Sequence, residues 1–339
     1  MLLLAAPLML LFLGVQGAPS GVSASGKASS AAAVAQARAK FIKVMSAHAP
    51  AVSASHGWVS PNTQGHGSVE GAANGSITSA QSINWSGYVA SESGTSMVSR
   101  VSGDWTIPKI QCLPAPYENQ DAFTVNWVGI DGFNNQTVEQ LGTGAQCYAG
   151  VEYYFVFYEM YPAGTVEEGT TACISSNVDC PQPGDRISAS VSVTAAGSGE
   201  NNYNLALTDH TRPAESFSVM KQCATATCMD TSAEWIVERP AVVPPPPAPV
   251  QVLPLVDFTR TAFRNAGVAS GGRATSILGF KDGPVYDISM IDDTDSYYLA
   301  CVGQSAPPGT LLAITQANAC PTVAPSPLGG FNESWDSSF

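Results

Sequence analysis

Histidine and charge are what this sequence has least of. Asp, Glu, Lys and Arg make up 12% of 339 residues, and there are four histidines. Three of these, His48, His56 and His66, precede residue 81, so any histidine chemistry beyond that point rests on His210 alone. His210 sits in the turn-like Asp209-His210-Thr211-Arg212-Pro213, and no Gly-x-Ser-x-Gly element accompanies it, which leaves no Ser-His-Asp triad. A hydrolytic zinc site needs three protein ligands and draws mainly on histidine, so no metal is expected. Asp-Thr-Gly and Asp-Ser-Gly are missing, as are phosphate-cradling glycine loops and dinucleotide fingerprints. The chemistry that remains belongs to carboxylates and amides, without a cofactor. Basic residues are also few. From residue 81 onward 10 Lys and Arg stand against 26 Asp and Glu, which argues against nucleic acid, whose binding depends on cations at phosphates. Few ionisable groups also leave acid denaturation little to act on, so a low working pH is expected.

Long apolar runs are absent after the first 17 residues. Met1–Gly17 is apolar and ends on small residues, and it is shorter than a bilayer span, so it reads as a secretory signal peptide. No membrane association is expected after its removal. Residues 18–80 are rich in Ala, Ser and Gly and nearly free of aromatics, with Lys27, Arg38, Lys40 and Lys43 against Glu70. Such a segment buries no core of its own. It reads as a basic propeptide that covers a cleft in the acidic domain after it, with a helix over 31–47. The folded domain is expected over 81–322, and residues 323–339 read as a flexible tail.

All eight cysteines fall within 81–322, and an even number behind a signal peptide reads as disulfides. Close spacing suggests Cys173–Cys180 and Cys223–Cys228; elimination then leaves Cys112–Cys147 and Cys301–Cys320. Short β-rich runs alternate with turns, and Gly and Pro together number 55. Expected strands include 86–90, 97–105, 122–130, 137–141, 152–161, 185–194, 201–209, 232–239 and 285–290. This pattern predicts an all-β sandwich or barrel. Val242 to Pro249 must be an extended polyproline excursion.

The centre of the chain is Asn126–Gly142, a strand, a turn at Asp131-Gly132 with Asn134-Asn135, and a second strand that places Glu139 and Gln140 on opposite faces. A glutamine in a sheet is ordinarily a cross-strand hydrogen-bonding residue, and a glutamate such as Glu234 an edge charge. Several segments in order change that balance. They are Asn84-Trp85-Ser86-Gly87-Tyr88, Gly103-Asp104-Trp105, Trp127-Val128-Gly129-Ile130-Asp131-Gly132, Glu139-Gln140-Leu141-Gly142, Tyr158-Glu159-Met160-Tyr161-Pro162 and Ala233-Glu234-Trp235-Ile236-Val237-Glu238.

Taken together, over about 84–295, they resemble the glutamic peptidase (eqolisin) family. The resemblance implies two stacked antiparallel sheets, a concanavalin- or lectin-like β-sandwich. It implies Gln140 and Glu234 as the catalytic pair, with Trp127, Asp131 and Glu159 supporting the cleft or binding substrate. It implies a secreted, extracellular acid endopeptidase acting on polypeptides, monomeric, with its own propeptide as intramolecular inhibitor. Glu234 would take a proton from water and Gln140 would stabilise the oxyanion. Two rival expectations use the same fold. A glycoside hydrolase would use Glu159 and Glu234 as paired carboxylates and be indifferent to Gln140; a carbohydrate-binding protein would have no catalysis and no self-processing.

Overall fold

Two sheets stack face to face in the computed structural model, which describes residues 84–112, 121–169, 180–195, 201–223, 228–242 and 251–290. It also describes helical residues within 32–39 and the short pieces 58–59, 77–82, 318–321 and 331–336. The signal peptide and residues 243–249 of the polyproline stretch lie outside the described residues. In chain order the main strands are β1 Ile77–Ser82, β2 Trp85–Ser91, β3 Val98–Thr106, β4 Ala122–Ile130, β5 Val138–Tyr148, β6 Val151–Tyr161 and β7 Thr165–Glu168. They continue with β8 Arg186–Ala195, β9 Asn201–Asp209, β10 Phe217–Gln222, β11 Ser232–Glu238, β12 Arg260–Ser270, β13 Val285–Met290 and β14 Phe331–Asp336.

The first sheet runs β1-β13-β2-β11-β4-β5-β6-β7, with Trp58–Val59 on its β1 edge. The second runs β10-β9-β8-β3-β12-β14, with Asn318–Pro321 at its far edge. Pairing is antiparallel throughout except β13 with β1. Chain neighbours joined by short turns, such as β4-β5-β6-β7, lie side by side, whereas β11 enters between β2 and β4 from far along the chain. The sandwich expected from the strand-rich pattern is what forms.

The interface between the sheets holds Tyr88, Val101, Trp105, Val128, Leu141, Tyr203, Trp235 and Phe263 in one apolar cluster. A second cluster covers the other face of the first sheet: Trp85, Val89, Phe123, Trp127, Phe157, Ile236 and Ile288. An antiparallel sheet commonly leaves one face wet. Here every residue of β2, β4 and β11 is buried, so the central strands of the first sheet are covered on both sides. Ala37, from the helical residues near the N-terminus, is 0% exposed and belongs to the outer cluster. Burying a large aromatic side chain contributes roughly 3 kcal/mol, and Trp85, Trp127 and Trp235 are all fully buried.

Several expectations shift. β5 runs on to Tyr148, well past the expected end at residue 141. The domain boundary expected at residue 80 falls inside β1, a paired strand of the sheet. Phe331–Asp336, within the expected tail, pairs with β12. Cys112–Cys147 and Cys223–Cys228 are disulfides as expected. Cys180 is also disulfide-bonded; Cys173 and Cys301, and the side chain of Cys320, lie outside what is described, and with them the other two expected pairings.

Candidate active site

The turn between β4 and β5 fixes how these strands meet. Asp131 takes a positive φ of 68°, which Asp tolerates better than most residues. Gly132 follows at φ 105°, where a Cβ would stand 2.5 Å from Val138 Cγ2. Asn135 braces the turn: its Nδ2 donates to Asp131 Oδ1 at 2.7 Å, and its Oδ1 accepts from the Gly132 and Thr137 amides. The strands that leave this turn pair Gly129 with Gln140.

The Asp131 carboxylate also reaches the lead-in to β11. Its Oδ2 accepts from the backbone N–H of Met229 and Asp230, each at 2.8 Å, and its Oδ1 from that of Thr231 at 2.8 Å. One side chain therefore sets both the turn before Gln140 and the start of the strand that carries Glu234.

The registers then place five residues in one row across the sheet. Glu234 lies opposite Gly129, Gly129 opposite Gln140, and Gln140 opposite Glu159, with Val89 on the far side of Glu234. Directly paired residues project to the same face, here the outer one of Val89. With strands spaced by about 4.8 Å, the Glu234 and Gln140 backbones stand roughly 10 Å apart across Gly129. The absence of a side chain at Gly129 lets the Trp127 ring lie over it between them: a Cβ there would come 2.8 Å from Trp127 Cζ3 and 3.1 Å from Gln140 Cβ.

Gln140 and Glu159 are joined directly: Gln140 Nε2 donates to Glu159 Oε2 at 2.7 Å. A carboxamide nitrogen carries two hydrogens, so one remains for another acceptor. Gln140 Oε1 has no hydrogen-bond partner, and neither does either oxygen of Glu234. Gln140, Glu159 and Glu234 are all 0% exposed. Burial pushes the Glu234 carboxyl well above the usual carboxylate range. The nearby Ser232 hydroxyl, outside hydrogen-bonding geometry, offsets this in part, and Asp131 adds to it.

Trp127 forms the next row, opposite Ile236. Its indole Nε1 donates to Glu238 Oε2 at 2.8 Å, and it meets Trp85 edge-on with ring centroids 4.9 Å apart. Glu238, two residues beyond Ile236 and on the same face, also accepts from Asn84. The sequence carried a signal for this role, since Glu234, Ile236 and Glu238 share a face by strand alternation.

Glu139 points the other way, between the sheets, into a group with Asp131, Asp230 and Tyr203. Burial, then Asp131, Asp230 and Glu234 in that order, hold its carboxyl well above the usual range. Its Oε1 lies 3.0 Å from Cys228 Sγ of the Cys223–Cys228 disulfide. Tyr203 donates to Asp230 at 2.6 Å, and burial still pushes Asp230 up to about 6. His210 lies away from all of this, on the outer face of the second sheet, where its Nε2 is 2.7 Å from Ser188 Oγ.

Of the sequence candidates, Gln140, Glu159, Glu234 and Trp127 come together on one face. Asp131 lies beneath them as the tie between two strands. Gly129, the position between the pair over which the Trp127 ring lies, is not marked by sequence as a site residue because glycine carries no chemistry of its own.

The family model described as the Peptidase A4 family matches residues 83–305. A search of curated proteins finds no match. Among solved structures the chain is similar to scytalido-glutamic peptidase with a transition state analog inhibitor, at 19% identity and a TM-score of 0.51, covering 75% of this chain and 98% of that one. The same peptidase with a peptide-based transition state analog gives a TM-score of 0.50 at the same identity and coverage. SCP-B, a member of the eqolisin family in complex with the tripeptide Ala-Ile-His, is 19% identical with a TM-score of 0.47 over the same shares.

Proposed function

This chain belongs to the Peptidase A4 family and is a peptidase, and from that premise we propose that it is a secreted acid endopeptidase working through Gln140 and Glu234. The observation that carries the reading is the in-register row Glu234–Gly129–Gln140 on one face of the first sheet. A scissile peptide group seated against the Trp127 ring, between Glu234 and Gln140, has a carboxyl on one side and an amide donor on the other. Ionised Glu234 takes a proton from water as the water oxygen bonds to the carbonyl carbon. The charge that collects on the carbonyl oxygen receives the remaining Gln140 N–H. Protonated Glu234 then gives its proton to the nitrogen as the C–N bond breaks. Glu159 accepts one Nε2–H of Gln140 and so holds the amide, leaving the other N–H for this donation.

The raised pKa of Glu234 belongs to the covered face. Burial is its largest cause, so readmitting water lowers it toward the ordinary carboxylate range and restores a base that works in acid. Ala37 in the outer cluster supports the N-terminal segment as that cover, an intramolecular inhibitor. The two described disulfides and the disulfide-bonded Cys180 suit an oxidising, extracellular setting. Because β1 is a strand of the sheet, self-cleavage is expected before Ile77 rather than near residue 80.

The test is incubation of the full chain at about pH 3 with a denatured protein substrate, beside Gln140→Ala and Glu234→Gln. Losing an oxyanion donor costs about 10²–10³ in kcat, and losing the base costs at least as much. The wild type should shorten itself and cut the substrate while both variants, folded, do neither. Cleavage at wild-type rate by either variant refutes the assignment.

A further inference from the structure

We infer that Gln146 is a second substrate-binding amide, a distal subsite that takes a peptide group of an extended substrate at the end of a groove along β5. The inference rests on the reading of Gln140 and Glu234 given above. On its outer face β5 presents Gln140, Gly142, Gly144 and Gln146 in turn, since alternate residues share a face. The two residues between the glutamines have no side chain. Gly142 has no room for one: a Cβ would stand 2.1 Å from the Asn126 carbonyl oxygen and 2.7 Å from Trp127 Cβ. The paired strands supply apolar walls, Trp127 and Val125 on β4 and Phe157 and Phe155 on β6. What results is a buried strip of sheet floored by backbone, with a carboxamide at each end; removal of the cover would open it as the groove.

Gln146 is out of place as a packing residue. It lies between Phe123 and Tyr153, is 0% exposed, and has no hydrogen-bond partner at either Nε2 or Oε1. An amide buried in this way is costly unless something pairs with it. One donor and one acceptor at the end of an apolar groove match the C=O and N–H of a peptide group.

The covered form explains why the amide stays unpaired. Ala37 joins the apolar cluster at this face, and Tyr148, at the end of β5, donates to Gln36 Oε1 at 3.3 Å. Gln36 and Ala37 are helical, and neither supplies a hydrogen-bond partner to the Gln146 amide. An extended substrate brings free main-chain groups. Six residues along the strand from Gln140 amount to about 20 Å, which an extended chain covers in about six residues.

The test uses the acid-treated full chain and labelled peptides lengthened stepwise with Ala and Gly, on either side of the cleaved bond. Wild type should show about a tenfold rise in kcat/KM, carried by KM, once a peptide reaches about six residues beyond that bond on one side. In Gln146→Met, which keeps the side-chain length without its hydrogen bonds, the long-to-short ratio should fall about tenfold, and in Gln146→Ala likewise. An unchanged ratio, including an equal loss at every length, overturns the inference. Binding of the same peptides to the Glu234→Gln variant, by fluorescence anisotropy, reads the length step without turnover. A binding step alongside undiminished cleavage by Gln140→Ala would sink the catalytic assignment and leave the subsite standing. Absence of a step in the wild type would do the reverse.

Discussion

Raising the pH should destabilise this protein, and Asp287→Asn should remove a measurable share of that effect. Asp287 lies on β13 opposite Tyr88 of β2. Burial pushes its carboxyl up from 3.8 to about 7, although the Tyr88 hydroxyl, which donates to Oδ2 at 3.4 Å, pulls it partly back. The folded protein therefore holds this proton more tightly than the unfolded chain. Its contribution is fully present below the unfolded value near 4 and is lost as pH rises through about 7. A rise of about three units corresponds to about 4 kcal/mol, at about 1.4 kcal/mol per unit. Partial contact with solvent makes that a ceiling, so about 2–4 kcal/mol is expected. Asparagine keeps an oxygen for Tyr88 and never ionises. Urea unfolding of the full chain at pH 3.5 and pH 8 gives the loss for each protein. Glu139, Glu234 and Asp230 are raised in the same direction, so the variant still weakens on going to pH 8, but by about 2–4 kcal/mol less than wild type. Equal losses in the two proteins would refute the reasoning, because the Asp287 proton would then have no differential hold on the fold.

Two further substitutions probe how the site is built. Gly129→Ala puts a methyl against Trp127 and the Gln140 side chain; overpacking of this kind costs about 1–3 kcal/mol, and displacement of Gln140 should lower kcat tenfold or more, so wild-type turnover would show that the packing of Trp127 and Gln140 about residue 129 does not matter. Asp131→Asn replaces an acceptor with a donor facing backbone N–H groups from the lead-in to β11, and a loss of about 3 kcal/mol or more in urea unfolding is expected from the buried groups left unpaired; a loss below 1 kcal/mol would mean that this loop is held by other contacts.

Alternation within single strands made much of this legible. It separated Glu139 from Gln140 and put Glu234, Ile236 and Glu238 together, and the register bears out both. It failed where a residue's environment is set by a distant segment. The Gly142-Thr143-Gly144 stretch looked like the end of a strand, yet β5 continues because the β4 backbone crowds position 142 and only glycine fits. The expected tail hid a strand for a similar reason: Phe331–Asp336 is held by pairing with β12, some 70 residues earlier. Burial of the outer face was also unreadable from β2, β4 and β11 alone, since it depends on what lies over them.

Asp131 shows why the proposed catalytic pair could be named from local motifs while its assembly could not. Asp in a Gly-Ile-Asp-Gly turn needs no partner to be understood, because its positive φ already accounts for it. Its other work is to hold the amides of Met229, Asp230 and Thr231, and those residues have nothing in common with the turn except three-dimensional position. That link gives β11 its starting point beside β4, and a one-residue slip there would turn Glu234 to the inner face and bring Trp235 out in its place. Glu139, on the inner face beside Asp131 and the Cys223–Cys228 disulfide, packs against the same junction. The two faces are therefore linked through Asp131: its hydrogen bonds to the lead-in of β11 support the registry from which the proposed outer pair takes its geometry.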